Sequence, residues 1–470
     1  MSFLSFEFVT FFIAFLCLYW LPVGGVLWRN LLLLLGSYAL VALFSLQFAG
    51  ILAGYSLFIY VLGNHGDRIL TPRGVYVLLG LVISGLFVLF KYYGFFSESL
   101  QQALAAVGLQ VDMPVLALLL PVGLSYYSFH SVSYVVSVQR GELARAGLLD
   151  VLLYLAFFPS ILAGPINRAV DFMPQIQDAQ RSLEQPRKAL FLIALAMVKL
   201  FLFSAWLAKY RVDPVFADPT GHSPMQNLLA VYAYAWTIYF NFSGYTDLVT
   251  GIALFLGFRL PVNFNAPYLA TSLKEFWARW HISLSSFIRD YIYFPLGGGR
   301  RGWGRMQLNV MLAMVISGLW HGAAMTFVAW GALHGLGVVL LNLKHRLLPA
   351  RPRGPAGQQV ADWLGRLACF HFVCLCWVFF RSDSLDSAWL MLQQIGALEL
   401  VEPPPADGTF LLAMLALFVA YPLLAGWQRL WLERSNQLRW GLYPLMLAVV
   451  LSVAFSLAPE GMPNFIYAGF

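Results

Sequence analysis

Charge is what this sequence has least of. Only 11% of its 470 residues are Asp, Glu, Lys or Arg, and 60% are hydrophobic, where a soluble domain carries roughly 25% charged and about 45–50% apolar residues. That excludes a soluble globular protein. Cysteine is scarce as well: Cys17, Cys369, Cys374 and Cys376 all lie in apolar runs, so no polar loop holds the thiols of a disulfide framework. His371 with Cys374 and Cys376 makes no soft-metal cluster, because at 3.6 residues per turn the two thiols point about 200° apart. No metal is expected. A basic n-region and a small-residue cleavage site are missing before the first apolar run, so residues 3–24 read as a retained span and not as a signal peptide. The P-loop, the G-x-S-x-G elbow and the H-E-x-x-H motif are absent too, which removes nucleotide triphosphatases, the commoner serine hydrolases and the zincins.

What is present is apolar sequence long enough to cross a bilayer, repeated from one end to the other. A span needs about 20 predominantly apolar residues. Runs near 3–24, 30–46, 48–63, 74–91, 113–138, 148–164, 188–208, 227–258, 307–320, 323–342, 362–380, 409–426 and 440–458 predict about eleven to thirteen transmembrane or re-entrant helices. The fold class is all-α, a single polytopic membrane domain over 1–470, with no tandem repeat and with 386–470 its least diagnostic part. The stretch 227–258 is long and interrupted by Asn241, Ser243, Gly244, Thr246 and Asp247, which predicts a bent or re-entrant helix lining protein or water. Asp247 could pair with an arginine or line a polar tunnel.

The loops give an orientation. Lys344, Arg346, Arg351 and Arg353 meet no acidic residue before Asp362, which places that segment in the cytoplasm by the positive-inside rule. Glu399, Glu402 and Asp407, with no basic neighbour, read as external. Residues 259–306 stand apart: seven basic residues against Glu275 and Asp290 give +5 of the chain's net +7. That excess points to retained cytoplasmic loops more than to nucleic acid, which is not an expected partner. The same stretch is rich in Phe, Trp and Tyr, the composition of amphipathic helices at a membrane interface. Ser272 and Glu275 have capping-box spacing, so a helix should start near Leu273.

Two of the eight histidines stand out. His281, in Trp280-His281-Ile282-Ser283, lies inside the basic aromatic segment, and His321, in Ser317-Gly318-Leu319-Trp320-His321-Gly322, lies at bilayer depth. A titratable group at that depth is expensive, so it is a functional hypothesis by default. Gly318 and Gly322 permit close approach of a backbone or ligand. His334 follows thirteen residues after His321, about 220° around a continuous helix, which argues against a shared haem. Gly297-Gly298-Gly299-Arg300-Arg301 could cradle a phosphate through backbone N–H groups with arginine support.

At these residues the sequence closely resembles the membrane-bound O-acyltransferase family, in the bacterial branch of alginate O-acetylation and teichoic-acid D-alanyl transfer proteins. The resemblance rests on Tyr239 to Asp247, Glu275 to Ser285, Arg289-Asp290-Tyr291-Ile292-Tyr293, and Ser317 to Gly322 followed by Trp330-Gly331 and His334-Gly335. Lys91-Tyr92-Tyr93, Pro121 to Tyr127 and Phe158 to Pro165 extend it over about residues 1–385. Asn241 stands where the branch often has aspartate, and His130 where other residues are usual.

The resemblance implies helices around a central pore or funnel, an acyl thioester entering from the cytoplasm, and transfer toward the other face. His321 then corresponds to the family's essential histidine and His281 to the second, with Trp280, Trp320, Asp247 and Ser317 lining or supporting the pore. Arg279, Arg300 and Arg301 suit a CoA phosphate. The implied protein is a multi-pass O-acetyltransferase of the bacterial inner membrane. It uses acetyl-CoA as donor substrate, binds no cofactor tightly, and works with membrane lipid, a periplasmic acetyl-accepting protein and a polysaccharide-synthesis complex. Alginate, cellulose and peptidoglycan all remain open as the polymer. The rival readings are a secondary transporter or lipid-linked sugar flippase, for which broken helices and intramembrane polar groups speak, and a haem-binding electron carrier.

Overall fold

The computed structural model describes residues 3–111, 114, 119–183, 185–348, 354–397, 405–437, 439–457 and 459. Among the described residues 80% are helical, and no strand occurs. Seven helical stretches are long and apolar enough to cross a membrane: Gly25–Phe44, Leu46–Arg68, Pro72–Ala106, Pro186–Ala217, Met325–Leu347, Pro355–Arg381 and Ala406–Arg434. Phe6–Tyr19, Leu148–Ile161 and Leu442–Ala454 are shorter apolar helices. Large apolar side chains such as Leu35, Leu57, Leu81 and Leu423 are exposed on these helices, as expected of surfaces facing lipid and not water.

Two further helices are long but too polar to be recognised as spans by composition. The stretch expected to bend at Asn241–Asp247 is instead one helix, Pro224–Phe255. Its 32 residues rise about 48 Å. The polar residues do not break it because they are buried against other elements: Asn241, Ser243 and Thr246 are all inside. Trp303–His321, of which only 307–320 reads as apolar, runs 19 residues.

The chain divides into two compact units, the first comprising Met1–Gln185 with Ile252–Pro261, the second Pro186–Gly251 with Val262–Phe470. Within the first, Arg181 is a buried cation with its donors placed. It donates to Tyr19 Oη at 2.9 Å, to Asn30 Oδ1 at 3.0 Å and to the Ile176 carbonyl at 2.6 Å, and it lies 4.3 Å over the Phe258 ring. His130 packs against Tyr154 and accepts from the Asn167 N–H at 3.3 Å, a core histidine of that unit.

The second unit holds every residue singled out for chemistry. Its central feature is an antiparallel hairpin. Trp303–His321 ends at Gly322, and Met325–Leu347 returns along it. Glycine sets the spacing: a Cβ on Gly318 would meet the Phe327 carbonyl oxygen at 2.2 Å, and one on Gly331 the Met314 carbonyl oxygen at 2.5 Å. Asn342 donates to Gln307 Oε1 at 2.8 Å toward the other end. Such close backbone contact is how small residues join helices in lipid, where apolar burial between helices gives little.

The basic aromatic segment folds as two short helices, Leu273–Arg279 and Ile282–Ile288, followed by a π-helical turn at Arg289–Tyr293. The first starts where the capping pattern places it, with Ser272 Oγ accepting from the Glu275 N–H at 3.3 Å.

Candidate active site

His321 is the last residue of its helix, and the turn at Gly322 exists because the helix stops there. Its imidazole is 2% exposed and is enclosed by rings: Trp320 at 4.8 Å, Trp330 at 5.0 Å and nearly perpendicular, and Phe380 at 5.2 Å between centroids. Ser317, one turn earlier on the same helix, is buried too, on the face His321 shares.

His281 sits between the two short helices with φ +43° and ψ +55°. A non-glycine residue in that left-handed region is strained by about 1–3 kcal/mol and persists only where its surroundings impose it. Here Asn263 imposes it. The Ile282 N–H donates to the Asn263 carbonyl at 3.0 Å, and the Ser283 N–H and Oγ both donate to Asn263 Oδ1, at 3.2 and 2.6 Å. The His281 ring lies edge-on to Phe242 at 4.6 Å and 6.0 Å from Trp320. Burial pushes its pKa down to about 3, so the ring is neutral at pH 7. The two histidines singled out in the sequence thus meet the same indole, that of Trp320. Trp280, next to His281 in the chain, is stacked on Phe276 at 5.6 Å and lies 5.1 Å from Trp377.

Other sequence expectations resolve differently. Among the described residues Asp247 pairs with no arginine: Lys199 Nζ donates to its Oδ2 at 2.6 Å, from a π-helical turn at Val198–Ser204. Arg279 spends its guanidinium on Glu275, with Nε donating at 2.9 Å, and on the Asn265 carbonyl at 3.0 Å. Arg300 and Arg301 are exposed in the turn between Gly297 and Gly302. That turn precedes Trp303, at the far end of the His321 helix, about 27 Å from His321 by helical rise. Arg346 joins them there, 5.0 Å over the Trp303 ring. Cys369, Cys374 and Cys376 are buried along Pro355–Arg381, and among the described residues no group of His, Cys, Asp and Glu could hold a metal ion.

His334 is the residue that sequence reasoning passed over. The 220° separation assumes one continuous helix, and the break at Gly322 removes that assumption. Folding back, the chain brings His334 to 4.9 Å from Trp330, the same ring that packs on His321. The signal was available in Gly322, a helix stop directly after His321.

The sequence matches the model of the membrane-bound O-acyltransferase family over residues 74–380. The chain belongs to the membrane-bound O-acyltransferase family, and it is a multi-pass membrane O-acyltransferase. It is 36% identical to a protein of Pseudomonas aeruginosa described as a probable alginate O-acetylase, over 86% of this chain and 78% of that one. It is 31% identical to the peptidoglycan O-acetyltransferase of Helicobacter pylori, over 78% and 73%. Identity to the teichoic acid D-alanyltransferase of Bacillus subtilis is 28%, over 65% and 78%.

Proposed function

We propose that this protein transfers acetyl groups from cytoplasmic acetyl-CoA to a hydroxyl acceptor on the other side of the bacterial inner membrane. The destination is an exported polysaccharide, reached through a periplasmic acetyl-carrying protein. The observation that carries the reading is the pair of buried imidazoles, His281 and His321, packed on one indole in a chain with no other acyl-transfer motif. The names of the alginate and peptidoglycan O-acetylating relatives support acetyl over D-alanyl.

A neutral imidazole at His321 takes the proton of the acceptor hydroxyl as that oxygen adds to the thioester carbonyl. The C–S bond then breaks, and the CoA thiolate leaves with the proton from His321. The closed ring cluster excludes water that would otherwise compete as acceptor. Arg300 and Arg301, beside Arg346, form a cationic end that suits the CoA phosphates, and Arg279 braces its own short helix through Glu275. The buried Lys199–Asp247 pair is the one observation that favours transport instead.

The test is release of free CoA from acetyl-CoA by purified protein, with and without a periplasmic acceptor fraction. His321→Ala should abolish turnover while leaving a folded, monodisperse protein. The double variant Arg300→Ala/Arg301→Ala should raise KM for acetyl-CoA by about tenfold, in a salt-dependent way, with kcat spared. Turnover retained without His321 would sink the assignment.

A further inference from the structure

His334 is fully buried, and neither ring nitrogen has a hydrogen-bond partner among the described residues. Beside it are two indoles in the same condition: Trp277 Nε1 and Trp330 Nε1 are buried and unpartnered. The three rings form a tight triangle, Trp277–His334 at 5.0 Å, Trp330–His334 at 4.9 Å and Trp277–Trp330 at 5.7 Å. Phe276 lies parallel to the imidazole at 6.1 Å, and Phe372 closes another side at 6.0 Å.

The hydrogen-bonding inventory of this triangle does not balance. An indole only donates, and a neutral imidazole has one N–H and one acceptor nitrogen. Three donors therefore face one acceptor. The surplus of two N–H groups calls for an atom with two lone pairs and no obligation to donate, which describes a carbonyl oxygen. Most buried polar groups are hydrogen-bonded, so the surplus calls for a partner. The surplus also sits next to the proposed base, since Trp330 packs directly on His321. Trp330 and His321 are both enclosed and lie 5.0 Å apart between ring centroids, so a thioester carbonyl beside one is within reach of the other.

We propose that the surplus N–H groups of the Trp330, Trp277 and His334 triangle receive the carbonyl oxygen of the acyl thioester. This rests on the acyl-transfer reading of the same site. As the acceptor oxygen bonds to the carbonyl carbon, the carbonyl π electrons move onto its oxygen and the hydroxyl proton goes to His321. The indole N–H groups face the oxyanion that results. The carbonyl then re-forms, the C–S bond breaks, and the thiolate carries the proton away from His321. Donors fixed where charge develops act on the transition state more than on the bound substrate.

The experiment compares wild type, His321→Ala, Trp330→Phe and Trp277→Phe in acetyl-CoA turnover, with thermal unfolding as a control for folding. Phe keeps an aromatic ring in place but removes the N–H together with part of the indole's volume, so turnover is read against the unfolding midpoint. Each Phe variant should lose kcat by about 100-fold or more, with KM within about threefold of wild type, a loss larger than the drop in its unfolding midpoint accounts for. His334→Gln, which retains a donor and an acceptor, should recover part of what His334→Leu loses. If both Phe variants keep wild-type kcat, the donors hold only a structural water or nothing, and the inference is overturned while the acyltransferase reading stands. Activity that falls only in proportion to stability overturns it as well. If wild type shows no His321-dependent CoA release, the reading and this inference fall together.

Discussion

Lys199 and Asp247 form a 2.6 Å ion pair with side chains only 6% and 17% exposed. Lys199 lies in the apolar run Val198-Lys199-Leu200, where an unpaired ammonium would be costly. The widened π turn that carries it is a feature common at functional positions, and the ammonium also lies 5.9 Å from the Tyr239 ring.

Removing one partner leaves a buried charge without its counterion. Lys199→Met or Asp247→Asn should each destabilise the fold by about 3–5 kcal/mol, whereas the double variant Lys199→Met/Asp247→Leu should recover most of that loss. Unfolding midpoints in detergent decide it. A double variant as unstable as the sum of the two singles would show that the pair contributes nothing as a pair.

His281 carries a pH dependence whose sign follows from its burial. Its pKa falls from 6.5 to about 3 on folding, so below pH 6.5 the unfolded chain binds a proton that the folded one does not. Stability is therefore full above pH 6.5 and declines as pH falls toward 3, by up to about 1.4 kcal/mol per pH unit from this residue. The check is the pH slope of unfolding for wild type against His281→Gln. His281→Gly should separate strain from chemistry, since glycine accepts a φ of +43° without penalty. Stability should fall by less than the ~3–5 kcal/mol that loss of a buried ring ordinarily costs, because strain is relieved, while turnover drops. Undiminished turnover in His281→Gly would remove the side chain from the reaction.

The hairpin predicts a steric result. Gly318→Ala would force a Cβ to 2.2 Å from the Phe327 carbonyl oxygen, a backbone atom that cannot swing aside. Overpacking of this kind costs about 1–3 kcal/mol, and because His321 is three residues further along, the imidazole should move with the helix. Gly304→Ala, on the same helix and meeting nothing within 4 Å, serves as the neutral comparison. Equal stability and activity in both would contradict the close-contact account.

Much of this was legible in the residues themselves. Ser272 and Glu275 announced the helix at Leu273, and His281 and His321 were distinguishable from the other histidines by their apolar, aromatic settings. Partnerships across long sequence separations were not legible. Nothing adjacent to Asp247 names Lys199, 48 residues earlier, although a lone lysine in an apolar run was itself a sign that a carboxylate must lie near. The helix at Pro224–Phe255 departs from the expected bend because polar residues in a span signal either a break or burial, and only packing tells which. His334 was set aside on its angle around a continuous helix, although the separate runs 307–320 and 323–342 already placed a break near Gly322.

The alternation of His281, Trp320, His321, Trp330 and His334, each packed on the next, has an optical consequence. A protonated imidazole quenches indole emission, and a neutral one does so far less. Fluorescence from Trp320, isolated from the chain's 15 tryptophans by difference against Trp320→Phe, therefore reports the charge on His321 as it forms and disappears. The protein contains its own probe of proton transfer, and stopped-flow fluorescence can time that step without any added label.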